Sequence, residues 1–171
     1  MTDITRHSIL NIQQALADWP PPAQNWEPFT LPHSIGAGRP EFLGNGDERK
    51  IVTRFFRNRD NGSLCGHVWF SDSCFGPPAH VHGGISAFVF DEALGCVTWM
   101  NDYRCVAVEL TIQYHRMTPL NAILDLTARI ESVDNDMVHL HAEIFTGGEV
   151  FSSARGRFKV IDLDRFLQRG P

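Results

Sequence analysis

The sequence lacks a long apolar segment. In its 171 residues, no window approaches the roughly 20 apolar residues that a membrane-spanning helix needs. The first residues, Met1 to His7, also lack the basic-then-apolar pattern of a secretory signal. We therefore expect a soluble, cytoplasmic protein with no membrane partner.

Paired cysteines and an excess of positive charge are also missing. The four cysteines form no C-x-x-C pair and no zinc-like cluster, which favours reduced thiols. The formal net charge is −5, which argues against a general nucleic-acid binder. A few local Arg or Lys residues can still bind phosphates on an acidic protein.

The N-terminal third differs in composition from the rest of the chain. Residues 8–19 are predicted to form a short amphipathic helix that ends at three consecutive prolines. Residues 20–48 are rich in Pro and Gly with isolated aromatic residues, a pattern that predicts an irregular arm on the domain surface. We therefore assign residues 1–48 to an N-terminal helix and Pro-rich arm, and residues 49–171 to one globular domain.

Hydrophobic periodicity predicts the organisation of that domain. Two strands are joined by a hairpin with Asn61-Gly62 as its turn, and a long apolar helix and three or four more strands follow. Because the helix is apolar nearly all round, we expect an α+β fold in which an antiparallel sheet wraps around it and a second subunit covers the remainder. The predicted strands cover residues 50–58, 62–71, 104–116, 121–133, 136–146 and 149–160, and the predicted helix covers residues 83–99.

The chemistry is concentrated at the start of the helix. A proline-stiffened loop brings His82-Gly83-Gly84 to this point, and Asp91 follows in the middle of the helix. Glycines at a helix start leave backbone N–H groups uncovered. A carboxylate within an apolar helix is unfavourable unless it has a hydrogen-bond or ion-pair partner, so such a residue is often kept for a function. Together, these features suggest acyl-transfer chemistry.

Helical spacing places Gly84, Ala87, Asp91 and Gly95 on one stripe. A stripe of small residues alone favours close packing against another element. A buried aspartate needs hydrogen-bond donors or a raised pKa, and a packing seam supplies neither. Asp91 therefore favours a functional interpretation of the stripe.

The helix rise separates the donors from the acid. Gly83 lies eight residues before Asp91, so their backbones are about 12 Å apart. Both groups cannot act on one carbonyl from the same helix. If they share a site, two copies of the helix must run antiparallel across a twofold axis, which makes a dimer a requirement of the mechanism.

The segment Gly76–Gly95 resembles the signature of hotdog-fold acyl-CoA thioesterases. It is most similar to the PaaI-like and mitochondrial branch, which shares the proline-rich loop, His-Gly-Gly, and an Asp nine residues after the His. Residues 110–120 resemble the strand after the central helix of that family. The resemblance implies an antiparallel sheet wrapped around a central helix, a homodimer or a dimer of such dimers, and hydrolysis of an acyl-CoA thioester without a metal or other cofactor.

The resemblance also implies roles for individual residues. The Gly83 N–H would polarise the thioester carbonyl, Asp91 would act as general base or nucleophile, and His82 would order the loop. Independently of the resemblance, the basic residues on or beside the late strands are candidates for the CoA phosphates: Arg104, Arg116, Arg155, Arg157 and Lys159. Glu92, about 100° round the helix from Asp91, would make a salt bridge, reach an interface or form a carboxylate pair with Asp91. The expected substrate-contacting residues are His80, Gly84, Glu92, Ala107 and Arg116.

Some positions depart from the family pattern. Ala107 stands where a Ser or Thr commonly orients water or the acid, and Met117 replaces a usual proline. The missing hydroxyl favours the alternative of a non-catalytic hotdog protein that binds acyl-CoA or a similar apolar ligand. Strict strand alternation places Glu109 and Thr111 on the same face as Ala107, where either residue would compensate.

Two other site types fit the sequence less well. His80-Val81-His82 suggests a metal site, but the nearest acids follow nine and ten residues after His82 on a predicted helix, which is the wrong spacing for a cupin-type site. Cys74 and Cys96 flank the motif without a local base, so we interpret both as small apolar residues.

Overall fold

The structure, a computed structural model, describes residue 17, residues 19–29 and residues 51–162. Within these residues, the helix α1 (Gly83–Met100) crosses a seven-stranded antiparallel sheet. The strands are β1 (Trp26–Pro28), β2 (Ile51–Asn58), β3 (Leu64–Phe70), β4 (Cys105–Tyr114), β5 (Ile123–Asp134), β6 (Met137–Thr146) and β7 (Glu149–Val160). Their order across the sheet is β1-β2-β3-β5-β6-β7-β4.

The predicted fold class and the predicted order of two strands, a helix and further strands are confirmed, with four strands after the helix and boundaries within two residues. The sequence did not predict β1, which pairs with β2 and brings residues 26–28 of the arm into the sheet as an edge strand. The predicted helix over residues 8–19 and the rest of the arm lie almost entirely outside the described residues.

The β2–β3 connection differs from the predicted turn. It is a five-residue loop over residues 59–63, in which Gly62 has a positive φ of 70° and Asn61 does not. The Asn61 side chain instead accepts a hydrogen bond of 2.9 Å from the Ser63 N–H, which stabilises the wider loop. At the β6–β7 turn, Gly147 and Gly148 both have positive φ, as a two-residue turn of type I′ requires.

Side-chain capping fixes both ends of α1. His82 is the N-cap residue, and its Nδ1 accepts a hydrogen bond of 3.0 Å from the Gly84 N–H. At the other end, the Asn101 amide donates to the carbonyl oxygens of Val97 (2.8 Å) and Gly62 (2.9 Å). The second bond ties the end of the helix to the β2–β3 loop.

One face of α1 packs on the concave side of the sheet. A Cβ placed on Gly156 of β7 would lie 2.9 Å from the Leu94 Cδ1, so glycine permits this close approach. The opposite face, which carries Gly84 and Asp91, is exposed in the single chain. The buried residues of the helix are Ser86, Val89, Phe90, Ala93, Leu94, Cys96, Val97, Thr98 and Met100.

The outer side of the sheet is partly covered by residues 19–29, which we call the N-terminal strap. The Trp26 ring lies 5.5 Å and the Trp19 ring 6.1 Å from the imidazole of His67 on β3. Trp19 also packs with Val52 and Trp69 in a small apolar cluster. The strap therefore buries aromatic surface on the side of the sheet that α1 does not cover.

Candidate active site

The loop before α1 is held by its own backbone. The Gly76 N–H donates to the His80 carbonyl oxygen at 2.9 Å, and the His82 N–H donates to the Cys74 carbonyl oxygen at 2.8 Å. A Cβ on Gly76 would lie 2.7 Å from the Cα of His82, so a larger residue would push the two sides of the loop apart. The loop therefore delivers His82 to the helix start in one fixed position.

Hydrogen bonding at the start of α1 leaves one amide uncovered. His82 accepts from the N–H groups of Gly84, through its Nδ1, and of Ile85 and Ser86, through its carbonyl oxygen. Within the part of the chain that the structure describes, the Gly83 N–H makes no hydrogen bond. The first turn of α1 carries no acidic residue, so this positive helix end is open to a negatively charged or polar group.

A cleft of about 330 Å³ lies beside this amide. The cleft separates the loop and the start of α1 from the end of β4, and the Val81 N–H bridges its two sides by donating to the Thr118 carbonyl oxygen at 2.9 Å. Its lining is more apolar than polar by area and, among the described residues, contains no carboxylate. Lining residues include His80, Gly83, Ser86, Tyr114, His115 and Arg116.

Tyr114 is a cleft residue that the sequence analysis did not identify. Its hydroxyl donates a hydrogen bond of 2.8 Å to the Gly83 carbonyl oxygen. A Cβ on Gly83 would lie 3.1 Å from the Tyr114 ring, so the ring is packed against the first peptide of the helix. The only sequence signal was the place of Tyr114 in the strand that resembles the thioesterase pattern.

The two histidines of the motif each use one ring nitrogen locally. The Nδ1 of His80 lies 2.7 Å from the Pro78 carbonyl oxygen and therefore donates, whereas the Nδ1 of His82 accepts. His80 lines the cleft, and His82 acts from beside it through the Gly84 amide. Arg116 also lines the cleft, and its guanidinium lies 3.6 Å from the Glu149 carboxylate at the exposed rim.

Asp91 does not line this cleft. It lies about two helical turns beyond Gly83 and is exposed in the single chain. Partial burial nevertheless raises the pKa of Asp91 above its ordinary value of 3.8. Burial and then the charge of Asp91 also raise the pKa of the neighbouring Glu92. One chain therefore brings together His80, Gly83 and Arg116, but not the predicted acid.

The cysteines near the motif are poor nucleophiles. Burial, with a smaller effect of the Glu92 charge, raises the pKa of Cys96 to about 12, so its thiol stays protonated. Cys74 is buried in the main core. Both residues pack as the small apolar side chains that the sequence predicted.

A β-bulge in β4 overturns the predicted compensation for Ala107. Ala107 pairs with Phe158, whereas Glu109 pairs with Arg157, so Val108 is an extra residue between them. Phe158 belongs to the core beneath α1, whereas Arg157 is exposed and lies 2.8 Å from the Glu109 carboxylate. Glu109 and Thr111 therefore lie on the outer face, and the prediction that they share a face with Ala107 is wrong.

Comparisons with known proteins agree with this architecture. The family described as the thioesterase superfamily matches residues 79–151, and no curated protein matches the sequence. A crystal structure of a thioesterase superfamily protein is 34% identical, with a TM-score of 0.60 over 63% of this chain and 53% of that protein. The chain thus spans about half the length of that relative.

Two other solved structures share the fold at lower identity. The PaaI protein of E. coli, from its phenylacetic acid degradation operon, is 19% identical over 65% of this chain and 79% of its own, with a TM-score of 0.57. A hypothetical thioesterase of Streptococcus pneumoniae with coenzyme A is 16% identical over 64% and 87%, also with a TM-score of 0.57. Among the described residues, no helix is long and apolar enough to cross a membrane.

Proposed function

We propose, from the match of residues 79–151 to the thioesterase superfamily and from the hotdog fold of the chain, that this protein is a cytoplasmic acyl-CoA thioesterase. The observation that carries the proposal is the uncovered Gly83 N–H at a largely apolar cleft whose described lining has a few polar side chains and no carboxylate. The coenzyme A in the structure of the S. pneumoniae protein supports an acyl-CoA substrate.

The reaction converts an acyl-CoA and water to a free acid and CoA. The Gly83 N–H donates to the thioester oxygen as negative charge develops on it, and an aligned donor of this kind contributes roughly 3–4 kcal/mol. Asp91 either takes a proton from the attacking water or attacks the carbonyl carbon itself, in which case water cleaves the resulting anhydride. In both cases the carbon–sulfur bond breaks and the CoA sulfur leaves with a proton.

This site requires a homodimer. Gly83 and Asp91 of one chain are two helical turns apart, whereas a second α1 running antiparallel would bring the partner's acid to the cleft. Two features support such a pairing. The face of α1 that carries Asp91 is exposed, and among the described strands β4 has only β7 as a neighbour while it exposes Val108. A dimer of such dimers would keep the same site.

The remaining predicted residues have roles that follow from their positions. His82 fixes the helix start, and its bond from the Gly84 N–H leaves the Gly83 amide as the free donor. His80 and Arg116 line the cleft as donors for the CoA part of the substrate. We assign Glu92 and Ala107 to the part of the shared site around Asp91, which each chain would supply to the cleft of its partner.

A thiol-release assay over short, long and aromatic acyl-CoAs tests the proposal. We expect Asp91→Asn to abolish hydrolysis and to leave the fold intact, because the amide can neither accept a proton nor attack. Asp136→Asn is the matched control, since Asp136 is an exposed carboxylate that pairs with Lys159 on the outer side of the sheet. Unchanged turnover in Asp91→Asn would remove this residue from the mechanism.

Mixed dimers test the shared site. Gly83→Pro removes the N–H at a position where helices tolerate proline, and the extended conformation of His82 suits a following proline. Gly83→Ala is the control, since it adds a Cβ beside Tyr114 but keeps the N–H. Randomly mixed Gly83→Pro and Asp91→Asn chains should recover about a quarter of wild-type activity, because each mixed dimer contains one intact site. No recovery would contradict a site shared between subunits.

One observation favours a second function, acyl-CoA binding without hydrolysis. Two further structures of the S. pneumoniae protein carry an Asp or a Thr replaced by alanine, and these positions are separated by the same sixteen residues as Asp91 and Ala107. This chain naturally has alanine at the second position. Saturable acyl-CoA binding by the wild-type protein with no thiol release would decide for this alternative.

A further inference from the structure

Ser86 places a hydroxyl where an apolar helix face meets the cleft. The residue is 1% exposed, and its neighbours on the buried face of α1 include Val89 and Phe90. Within the described part of the chain, its hydroxyl makes no hydrogen bond. Because Ser86 lines the cleft, a hydroxyl without a protein partner is left to form its hydrogen bond with a group in the cleft. The position therefore indicates a group that comes from outside the chain.

Helix geometry places this hydroxyl close to the Gly83 amide. Ser86 follows Gly83 by three residues, which is about 4.5 Å along the axis and nearly one full turn. Both residues line the same cleft, next to Tyr114. The Tyr114 hydroxyl already donates to the Gly83 carbonyl oxygen, so it is not the free donor at this point.

We propose that the Ser86 hydroxyl is a second hydrogen-bond donor to the thioester carbonyl oxygen, beside the Gly83 N–H. This inference rests on the proposed function and assigns one more catalytic residue to it. Two donors on neighbouring turns stabilise the negative oxygen that forms during attack better than one donor does. Ser86 keeps its proton throughout, since no base contacts its Oγ among the described residues.

Kinetics of Ser86→Ala and Ser86→Thr test this role. Ser86→Ala should lower kcat and kcat/KM together, by roughly 10- to 100-fold, because the lost bond strengthens only as the oxygen becomes charged. Ser86→Thr keeps the hydroxyl and should stay within about threefold of wild type. Ser71→Ala is the matched control, since Ser71 is 7% exposed, has an unpaired hydroxyl and lies outside the cleft.

A binding measurement separates this inference from the proposed function. One acyl-CoA analogue replaces the thioester sulfur with CH2 and keeps the carbonyl, and the other is a thioether without a carbonyl. Ser86→Ala should bind the ketone roughly tenfold more weakly and the thioether unchanged. A variant that binds both analogues and hydrolyses like wild type would overturn the role of Ser86 alone. If the wild type binds but does not hydrolyse, the proposed function fails, and the two analogues still decide whether Ser86 contacts the carbonyl.

Discussion

The Tyr114 hydroxyl donates a hydrogen bond of 2.8 Å to the Gly83 carbonyl oxygen, and this bond joins the end of β4 to the first residue of α1. The Gly83 N–H, which we propose as the donor to the thioester oxygen, belongs to the same residue as this carbonyl. Tyr114 therefore acts as a positioning residue, because it holds the residue whose N–H orients the substrate without supplying a catalytic group itself.

Tyr114→Phe removes this hydrogen bond and keeps the ring. We expect kcat to fall about fivefold with little change in KM, because a hydrogen bond of about 1 kcal/mol no longer fixes the helix start. The other tyrosine, Tyr103, lies outside the cleft, so Tyr103→Phe is the matched control. Equal kcat values for the two variants would contradict a positioning role.

Ala107→Thr should increase activity. Ala107 lies on the helix-facing side of β4, so a hydroxyl there would offer Asp91 of the proposed dimer a hydrogen-bond partner. We expect kcat to rise by roughly threefold to tenfold in the thiol-release assay. Ala107→Val has nearly the same shape without the hydroxyl and should give no gain. A gain in both variants would point to packing rather than hydrogen bonding.

The pH dependence of hydrolysis should reflect the burial of Asp91. Because burial raises the pKa of Asp91, activity should fall with decreasing pH at a point above its ordinary 3.8. The Asp91 charge raises the pKa of Glu92, so Glu92 takes up its proton first and is neutral when Asp91 titrates. Glu92→Gln should therefore leave the acidic limb of the kcat/KM profile in place. A shift of this limb to lower pH would mean that the Glu92 charge, and not burial alone, raises the pKa of Asp91.

The stability of the fold should depend on His67 beneath the N-terminal strap. Its Nδ1 lies 3.1 Å from the Asp125 carboxylate, and the cross-strand Arg54 adds a positive charge. Burial is the largest effect and lowers the pKa of His67 below 6.5, with Arg54 adding to the shift and Asp125 opposing it. The folded state therefore favours the neutral ring, which stabilises it above pH 6.5 and does so less as the pH falls below that value.

Urea unfolding about one pH unit above and below 6.5 measures this contribution. Wild type should lose more unfolding free energy on acidification than His67→Gln, because glutamine has no proton to gain. An equal loss in the two proteins would mean that His67 does not contribute to the pH dependence.

The main elements were predictable because their patterns are strong over many residues. Alternation in β6 and the apolar run of α1 each extend over ten residues or more, and the structure follows them closely. The bulge at Val108 was not predictable, because a pattern of period two continues smoothly across it and only strand pairing reveals the extra residue.

The candidate site was predictable only in part. His-Gly-Gly and Asp91 are adjacent in sequence, so spacing alone gives their separation along the helix. The contact between Tyr114 and Gly83 joins residues thirty-one positions apart, and it depends on how β4 returns to the start of α1. For β1, three residues are too few for a periodic signal, and pairing with β2 determines their structure.

The N-terminal strap divides the outer surface of the sheet into two unlike halves. Tryptophan rings occupy the half over β2 and β3, whereas β7 exposes Arg155, Arg157 and Lys159 on the other half. This side of the sheet therefore offers no extended apolar surface on which a second sheet could pack. Contacts made there between copies of the chain would rely on ion pairs and would weaken as ionic strength rises.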